Sequence, residues 1–434
     1  MTNGKTKEQF VVGLDIGTTK VCCVVAKRDE FGKIHVLGVG KAKSEGLQRA
    51  TVVNINRTVD AIREAVSEAS HTSSIKIKGV NVGISGEHVQ CIKSSAEITI
   101  NPTQIVNHND VMRLVEKAKK SLEHLNMERR VIHSIPQEFI VDDQEGVLDP
   151  IGMAGQSMRG SVYVVMGMIS KIRNIEQCIE KAGLSVNGMT FEPVASGLAV
   201  IKGREQKSGV VVIDIGGGTT DIAIYRRGAI RYSEVVKIAG CDVTNDVAIG
   251  LHTLEDIAEE LKVKHGCAYF PDLIHDEEIL VSDLEGRPPK SFRKSVLTNI
   301  IEARMTEIFE RVRESLRKSG DYQYLNAGAI ITGGGALVQG TQSLAQQVLG
   351  LDVRIGTPEG LDGGMKGELN SPKYATVAGL VLRAFRDMPI EQQSHEAVEE
   401  NEPELETSKA SSNESQKRSG KNIFDRVKDW FDQI

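Results

Sequence analysis

The chain has 434 residues, with 53 Lys and Arg against 59 Asp and Glu for a formal charge of −6, and that length exceeds what one compact core organises, so two or more globular units are expected. At 40% hydrophobic and 26% charged residues, with no run near the roughly 18 apolar residues a bilayer-crossing helix needs, it is not expected to span a membrane. The charge is uneven: residues 389–416 hold eight Glu against one Lys, net −7, so everything else carries +1.

In chain order, the amino terminus MTNGKTKEQF runs straight into an apolar strand without the features of a secretory signal, so the protein is expected to stay in the cytosol. Six cysteines (Cys22, Cys23, Cys91, Cys178, Cys241, Cys267) lack any C-x-x-C spacing, which argues for reduced thiols and against zinc or disulfides. Two segments then resemble each other: FVVGLDIGTTKVCCVVAKRDEFGKIHVLGVG (10–40) and GVVVIDIGGGTTDIAIYRRGAIRYSEVVKIAG (209–240). Each reads as a strand ending in Asp-Ile-Gly, a small-residue turn, a second strand, a polar turn and a third strand, followed by a helix over 58–69 or 243–251. The equivalent Asp15 and Asp214 lie 199 residues apart.

Such turns suit phosphate, because glycine lets the backbone approach an anion and Thr hydroxyls donate hydrogen bonds. Gly17, Thr18, Thr19 and the adjoining Lys20 form one candidate cradle, and Gly216, Gly217, Gly218 and Thr219 the other. Asp15 and Asp214 would repel phosphate, so their natural role is to hold Mg²⁺, directly or through water. Taken singly either turn also reads as a tight β-turn; the duplication makes it specific. A third cluster, Gly333-Gly334-Gly335, follows the strand 329–332 and precedes a helix over 339–348. It reads as the nucleoside side of the pocket, or else as a plain strand-to-helix connection.

These are similar to the phosphate-1, phosphate-2 and adenosine motifs of the actin, heat-shock chaperone and sugar kinase ATPase superfamily, and residues 191–197 (FEPVASG) and 374–380 (YATVAGL) resemble its two connecting motifs. The resemblance covers some 370 residues. It implies an α/β fold of two lobes with duplicated ribonuclease H-like domains, ATP and Mg²⁺ in the cleft, and hinge helices crossing through small residues. Ala258-Glu259-Glu260-Leu261-Lys262 resembles the adenine-side helix, which implies that Glu259 bonds the ribose and Lys262 packs on the base; an ordinary solvated helix face is the plain alternative.

Within the superfamily the chain resembles the bacterial cell-division FtsA family. Residues 85–161 resemble its α+β insert, expected as strands 89–92 and 96–100, a helix capped near Asp110, and strands around 130–134 and 139–142 within the HSIPQEFIVDD stretch. The resulting division is 1–84, the first lobe with its phosphate-1 loop; 85–161, the insert; 162–206, the first lobe continued with a hinge helix; 207–241, the second lobe with its phosphate-2 loop; and 242–319, a small subdomain. It continues as 320–370, the second lobe with the adenosine loop; 371–388, the second hinge helix; 389–420, an acidic linker too polar to fold; and 421–434, a terminal amphipathic helix.

At 100° per residue, Ile423, Phe424, Val427, Trp430, Phe431 and Ile434 fall within about 120°. Lys421, Arg426 and Lys428 flank that face, placed to snorkel. Fourteen residues make only about 21 Å of helix, so this element is expected to lie in a membrane interface rather than cross it. Docking on its own domain or on another protein is the alternative. Asp425, Asp429 and Asp432 offset the local cations, unlike the more basic anchors of the family, so lipid affinity is expected to be modest and to depend on clustered copies.

The family resemblance implies actin-like self-assembly on the cytoplasmic face of the inner membrane at the division septum, binding of the carboxyl-terminal peptide of FtsZ, recruitment of other divisome proteins, and no nucleic-acid partner. The peptide is bound in the family by the small subdomain, where a helix expected after Ser295 is rich in cations; Lys294 and Arg304 are the candidates, a solvated helix being the plain reading. Glu192 and Asp214, with Thr219, are candidates to position an attacking water, but the same residues serve binding, so turnover stays open. An MreB-like filament protein is the nearest alternative, though it lacks the insert. A small-molecule kinase is less favoured, and a chaperone would need a peptide-binding domain for which too few residues remain.

Overall fold

The computed structural model describes residues 9–101, 105–281 and 290–388. The expected linker and the terminal segment with Ile423, Phe424, Val427, Trp430, Phe431 and Ile434 lie outside the described residues.

Two sheets repeat one topology. In the first lobe Phe10–Ile16 pairs antiparallel with Lys20–Arg28, which pairs with Ile34–Lys43; Gly79–Ile84 and then Ser185–Phe191 add in parallel on the other side. In the second lobe Val210–Ile215, Thr220–Arg226 and Ala229–Val236 form the same antiparallel triplet, with Ala329–Thr332 and Val353–Ile355 added in parallel. The central strands are apolar on both faces because both are covered, which is why they read as unbroken Val and Ile runs rather than as alternation.

Helix Ile55–Ser73 covers the first sheet through Ile62, Ala65 and Ala69. It starts three residues ahead of the expected 58 because the Asn54 side chain accepts the Arg57 N–H at 3.1 Å. It lies close because the strand beneath offers glycine: a Cβ on Gly40 would sit 1.9 Å from the Ala65 carbonyl oxygen. Helix Lys294–Ser319 buries Leu297, Ile301, Met305, Ile308, Phe309, Val312 and Leu316, spaced mostly at three and four residues along one face.

The insert is a four-stranded antiparallel sheet under helix His108–Leu125. Here the local reading is corrected. The two short strands expected near 89–100 are one strand, Val89–Thr99, and the two near 130–142 are one strand, Arg129–Val141. Both are carried across their polar middles by pairing with the central strand Ser157–Met168, the second with register shifts at Ser161/Val162, beside Pro136, and at Val165/Met166. The helix is capped at Asn107, with Asp110 closing a capping box.

The lobes meet on two hinge helices, Glu192–Val200 and Ala375–Asp387. Their crossing depends on glycine, since a Cβ on Gly379 would lie 1.8 Å from the Ala195 carbonyl oxygen. Around them one apolar cluster draws residues from both sheets, including Val11 and Val24 of the first lobe, Val212 and Tyr225 of the second, and Val377 and Phe385. Cys22, Cys23, Cys178 and Cys267 are buried, Cys91 and Cys241 partly so, and all six are free thiols.

Candidate functional site

The duplicated turns are closed by the same bond. Gly17 N–H donates to the Lys20 carbonyl at 2.9 Å, and Gly216 N–H, at the equivalent position, donates to Thr219 at 3.0 Å. The turns face each other across the cleft: a Cβ on Gly217 would stand 2.4 Å from Thr19 Cγ2, and one on Gly218 2.5 Å from Thr18 Oγ1. A Cβ at either position would force the facing threonine to move, and one on Gly218 would also meet the Arg49 backbone at 2.9 Å. Thr18 and Thr19 of one loop thus meet the Gly217–Gly218 backbone of the other between the lobes, while the Thr219 hydroxyl donates to Asp221.

Behind the loops sit four carboxylates. Asp15 is 6% exposed and accepts from Lys20 Nζ at 3.3 Å. Asp214 is bonded by the Ser196 and Thr376 hydroxyls at 2.6 and 3.2 Å, one from each hinge helix. Glu192 opens the first hinge helix, and its side chain lies against Gly83. Asp221, which the sequence reading passed over, is held by Ser85 and Thr219. Burial raises the pKa of Glu192, Asp214 and Asp221, and mutual repulsion adds to it; Asp221 is brought to about 7 despite the Ser85 bond, and Glu192 lies well above the usual range. Burial opposes the Lys20 charge, but Asp15 and Asp214 among its neighbours outweigh it and raise its pKa.

The donor set is all carboxylate and hydroxyl oxygen, the chemistry that suits a hard divalent cation. Among the described residues no three acidic, His or Cys side chains form a ready metal cage. Asp221 had one signal in the sequence. It lies opposite Asp214 across its hairpin, where the first hairpin pairs Asp15 with Cys22; the repeat departs from itself at the position that adds a carboxylate.

On the second-lobe side, helix Gly240–Leu251 docks by its first N–H groups on the second glycine turn, Gly240 to Gly216 at 3.0 Å and Cys241 to Gly217 at 2.8 Å. Lys262 reaches the same place. Its ammonium donates to the Gly240 carbonyl at 3.0 Å and to Thr244 at 2.7 Å and pairs with Glu259 at 2.6 Å. Gly333, at φ 83°, would drive a Cβ to 2.4 Å from Asp214 Oδ1, and Gly335 one to 2.4 Å from Ile215, whereas Gly334 has open space beside it. The third glycine cluster therefore packs against the end of the strand that carries Asp214. It continues through a 3₁₀ turn, Gly334–Leu337, before helix Thr341–Leu349 begins, so that helix starts two residues later than expected, after Gly340 in the left-handed region.

The insert reaches this site twice. Ser85, at its root, donates across the cleft to Asp221, and His133 Nε2 accepts the Phe191 N–H at 3.0 Å, one residue before Glu192. Burial, with Arg383 nearby, lowers the His133 pKa to about 3, so this nitrogen keeps its lone pair at neutral pH. The two candidate peptide cations lie away from the cleft. Arg304 grips Asp246 through Nε and a terminal nitrogen at 2.5 and 3.0 Å and also bonds Glu307, and Lys294 pairs with Glu277 at 3.4 Å. An incoming acidic peptide would have to exchange with these carboxylates.

A family model described as "Cell division protein FtsA" matches residues 211–379, and one described as "SHS2 domain inserted in FTSA" matches residues 86–166. Cell division protein FtsA of Pseudomonas aeruginosa is 35% identical over 404 residues, covering 92% of this chain and 96% of that relative. The Neisseria meningitidis protein of that name is 36% identical over 398 residues, covering 91% and 95%, and the Bacillus subtilis one 32% over 385 residues, covering 88% and 85%. A solved PilM–PilN type IV pilus biogenesis complex matches with a TM-score of 0.64 at 18% identity, covering 86% of this chain and 98% of that chain, a likeness of fold alone. With its duplicated sheets, its insert and these relatives, the chain belongs to the FtsA family of cell-division proteins and carries the actin-like two-lobed fold.

Proposed function

We propose that this protein binds ATP with Mg²⁺ between its lobes, assembles into actin-like filaments on the cytoplasmic face of the cell membrane at the septum, and tethers FtsZ there while other division proteins are recruited. The observation that carries the nucleotide reading is the pair of glycine turns converging from two lobes in front of Asp15, Asp214 and Asp221. Gly17, Thr18, Thr19, Lys20 and Gly216 to Thr219 would hold the phosphates. Glu259 and Lys262 with Gly333 to Gly335 would hold the nucleoside, and Asp15 and Asp214, with Asp221, the metal through its water. Mg²⁺ would neutralise charge on the terminal phosphates. Burial and the nearby Asp15 raise the Glu192 pKa above its ordinary value, and Glu192 with Asp214 is the pair proposed to position a water against the terminal phosphate.

Membrane attachment is assigned to segment 421–434, whose six apolar residues share one helical face. No helix among the described residues is long and apolar enough to cross a membrane, in keeping with peripheral attachment. The FtsZ tail is proposed to displace Asp246 and Glu277 from Arg304 and Lys294. Vesicle sedimentation with ATP, comparing the whole chain with one ending at Gly420, tests the tether: recovery should be lost on truncation, and unchanged recovery refutes it. Adding the FtsZ tail peptide to the same tubes tests the partner.

A further inference from the structure

The hinge helices have two ends, and only one faces the cleft. Their first turns carry Glu192, Ser196 and Thr376, which crowd or bond the buried carboxylates. Their last turns open on the opposite side into a cavity of about 440 Å³ lined by Ile34, Leu198, Ile201 and Leu382, with Arg28 and Arg386 among its rim residues. Ile34 belongs to the first lobe, and Glu359 and Gly360 of the second lobe also line the cavity. From Thr376 to Phe385 is nine residues of helix, about 14 Å. A side chain seated in this groove would therefore wedge the hinge about 14 Å from the carboxylates.

We infer that the groove is the resting place of the chain's own segment 421–434, which occupies it when no membrane is present and leaves it for lipid. Four observations select this occupant. The described chain stops at Met388, two residues past Arg386 on the groove's rim, so the remaining residues start there. The intervening 389–420 contains 32 residues, a length for which the random-coil reference distance is roughly 30 Å, ample for a return to the groove and too short to dilute the segment. The first 28 of these residues carry net −7 and leave beside Arg28 and Arg386. The groove is of a size that accepts one or two aromatic anchors, and the segment supplies Phe424, Trp430 and Phe431 on one face.

Tethering makes weak docking sufficient. At a local concentration on the order of millimolar, a docking constant of about 0.1 mM leaves roughly ten docked segments for each free one. Lipid then competes for the same apolar face, so vesicle affinity is lowered about tenfold, and leaving the groove frees the hinge. This rests on the reading of segment 421–434 as the membrane element, extending it to what the segment does off the membrane.

Trp430 is the sole tryptophan and reports directly. In the full chain at sub-micromolar concentration without lipid, acrylamide should quench it several-fold less than N-acetyltryptophanamide, independently of protein concentration. Leu382→Asp and Ile34→Asp, each checked for an unchanged melting profile, should restore quenching and tighten binding to phosphatidylglycerol–phosphatidylethanolamine vesicles by up to about tenfold. Full quenching in the parent chain, protection that survives both substitutions, or protection that grows with protein concentration overturns the inference. If no form binds vesicles, the membrane reading fails, while the quenching result still decides docking.

Discussion

Replacing Gly379 by alanine puts one methyl group where the two hinge helices cross. Its Cβ would lie 1.8 Å from the Ala195 carbonyl oxygen and 2.3 Å from the carbonyl carbon, whereas ordinary contact begins at about 3.4 Å. The helices must part by about 1.6 Å, and backbone is on the receiving side, so no side chain can swing away. Overpacking of this kind costs about 3 kcal/mol. At about 2.1 cal/mol/K per residue, unfolding roughly 380 residues carries an entropy near 0.8 kcal/mol/K, so the melting temperature should fall by about 4 °C. Function should suffer more than stability. A separation of that size would stretch the 3.2 Å bond from Thr376 to Asp214 beyond hydrogen-bond range, and ATP affinity should drop about tenfold for one charged hydrogen bond lost. Calorimetry and titration with a fluorescent ATP analogue measure both, with Gly364→Ala, which has nothing within 4 Å, as the internal control. If Gly379→Ala melts and binds like Gly364→Ala, the hinge argument is wrong.

Other expectations follow from the same contacts. The folded pKa of Asp221, about 7, stands above its ordinary 3.8, so its contribution to stability is full below about pH 4 and is lost as pH rises towards 7. Asp221→Asn should remove that loss, and the melting-temperature gap between variant and parent should widen from pH 5 to pH 8; a constant gap contradicts the assignment. Ser85→Ala removes the donor that steadies the Asp221 carboxylate, so the midpoint of this profile should move upward and Mg²⁺-dependent ATP affinity should fall about tenfold. Asp246→Ala releases Arg304 from its bidentate partner. Calorimetric titration should show acidic-peptide binding tightened about fivefold by Asp246→Ala, a gain of about 1 kcal/mol for a partly exposed pair, and weakened by Arg304→Ala. Peptide binding unchanged by both would place the peptide elsewhere.

What could be read from the chain alone was what neighbouring residues decide among themselves. The glycine turns at Gly17 and Gly216 close on carbonyls three residues away, and strand 329–332 stands where its apolar run says. Length and local pattern also pointed to the long helix Lys294–Ser319 and to the small residues at the hinge crossing. Local reading broke down where pairing with distant chain overrides local polarity, as in Val89–Thr99 and Arg129–Val141, each held whole by Ser157–Met168. It also missed contacts whose partners are far apart in sequence: Ser85 with Asp221 across 136 residues, and His133 with the Phe191 amide across 58. Arg304 looked like a cation awaiting a ligand until the packing of helix Gly240–Leu251 brought Asp246 against it, 58 residues away. The physical reason is range. Turn geometry, capping and apolar periodicity depend on a few adjacent residues, whereas the gathering of four carboxylates and the pKa values that follow depend on closing two lobes and an insert around one buried point, which no local segment specifies.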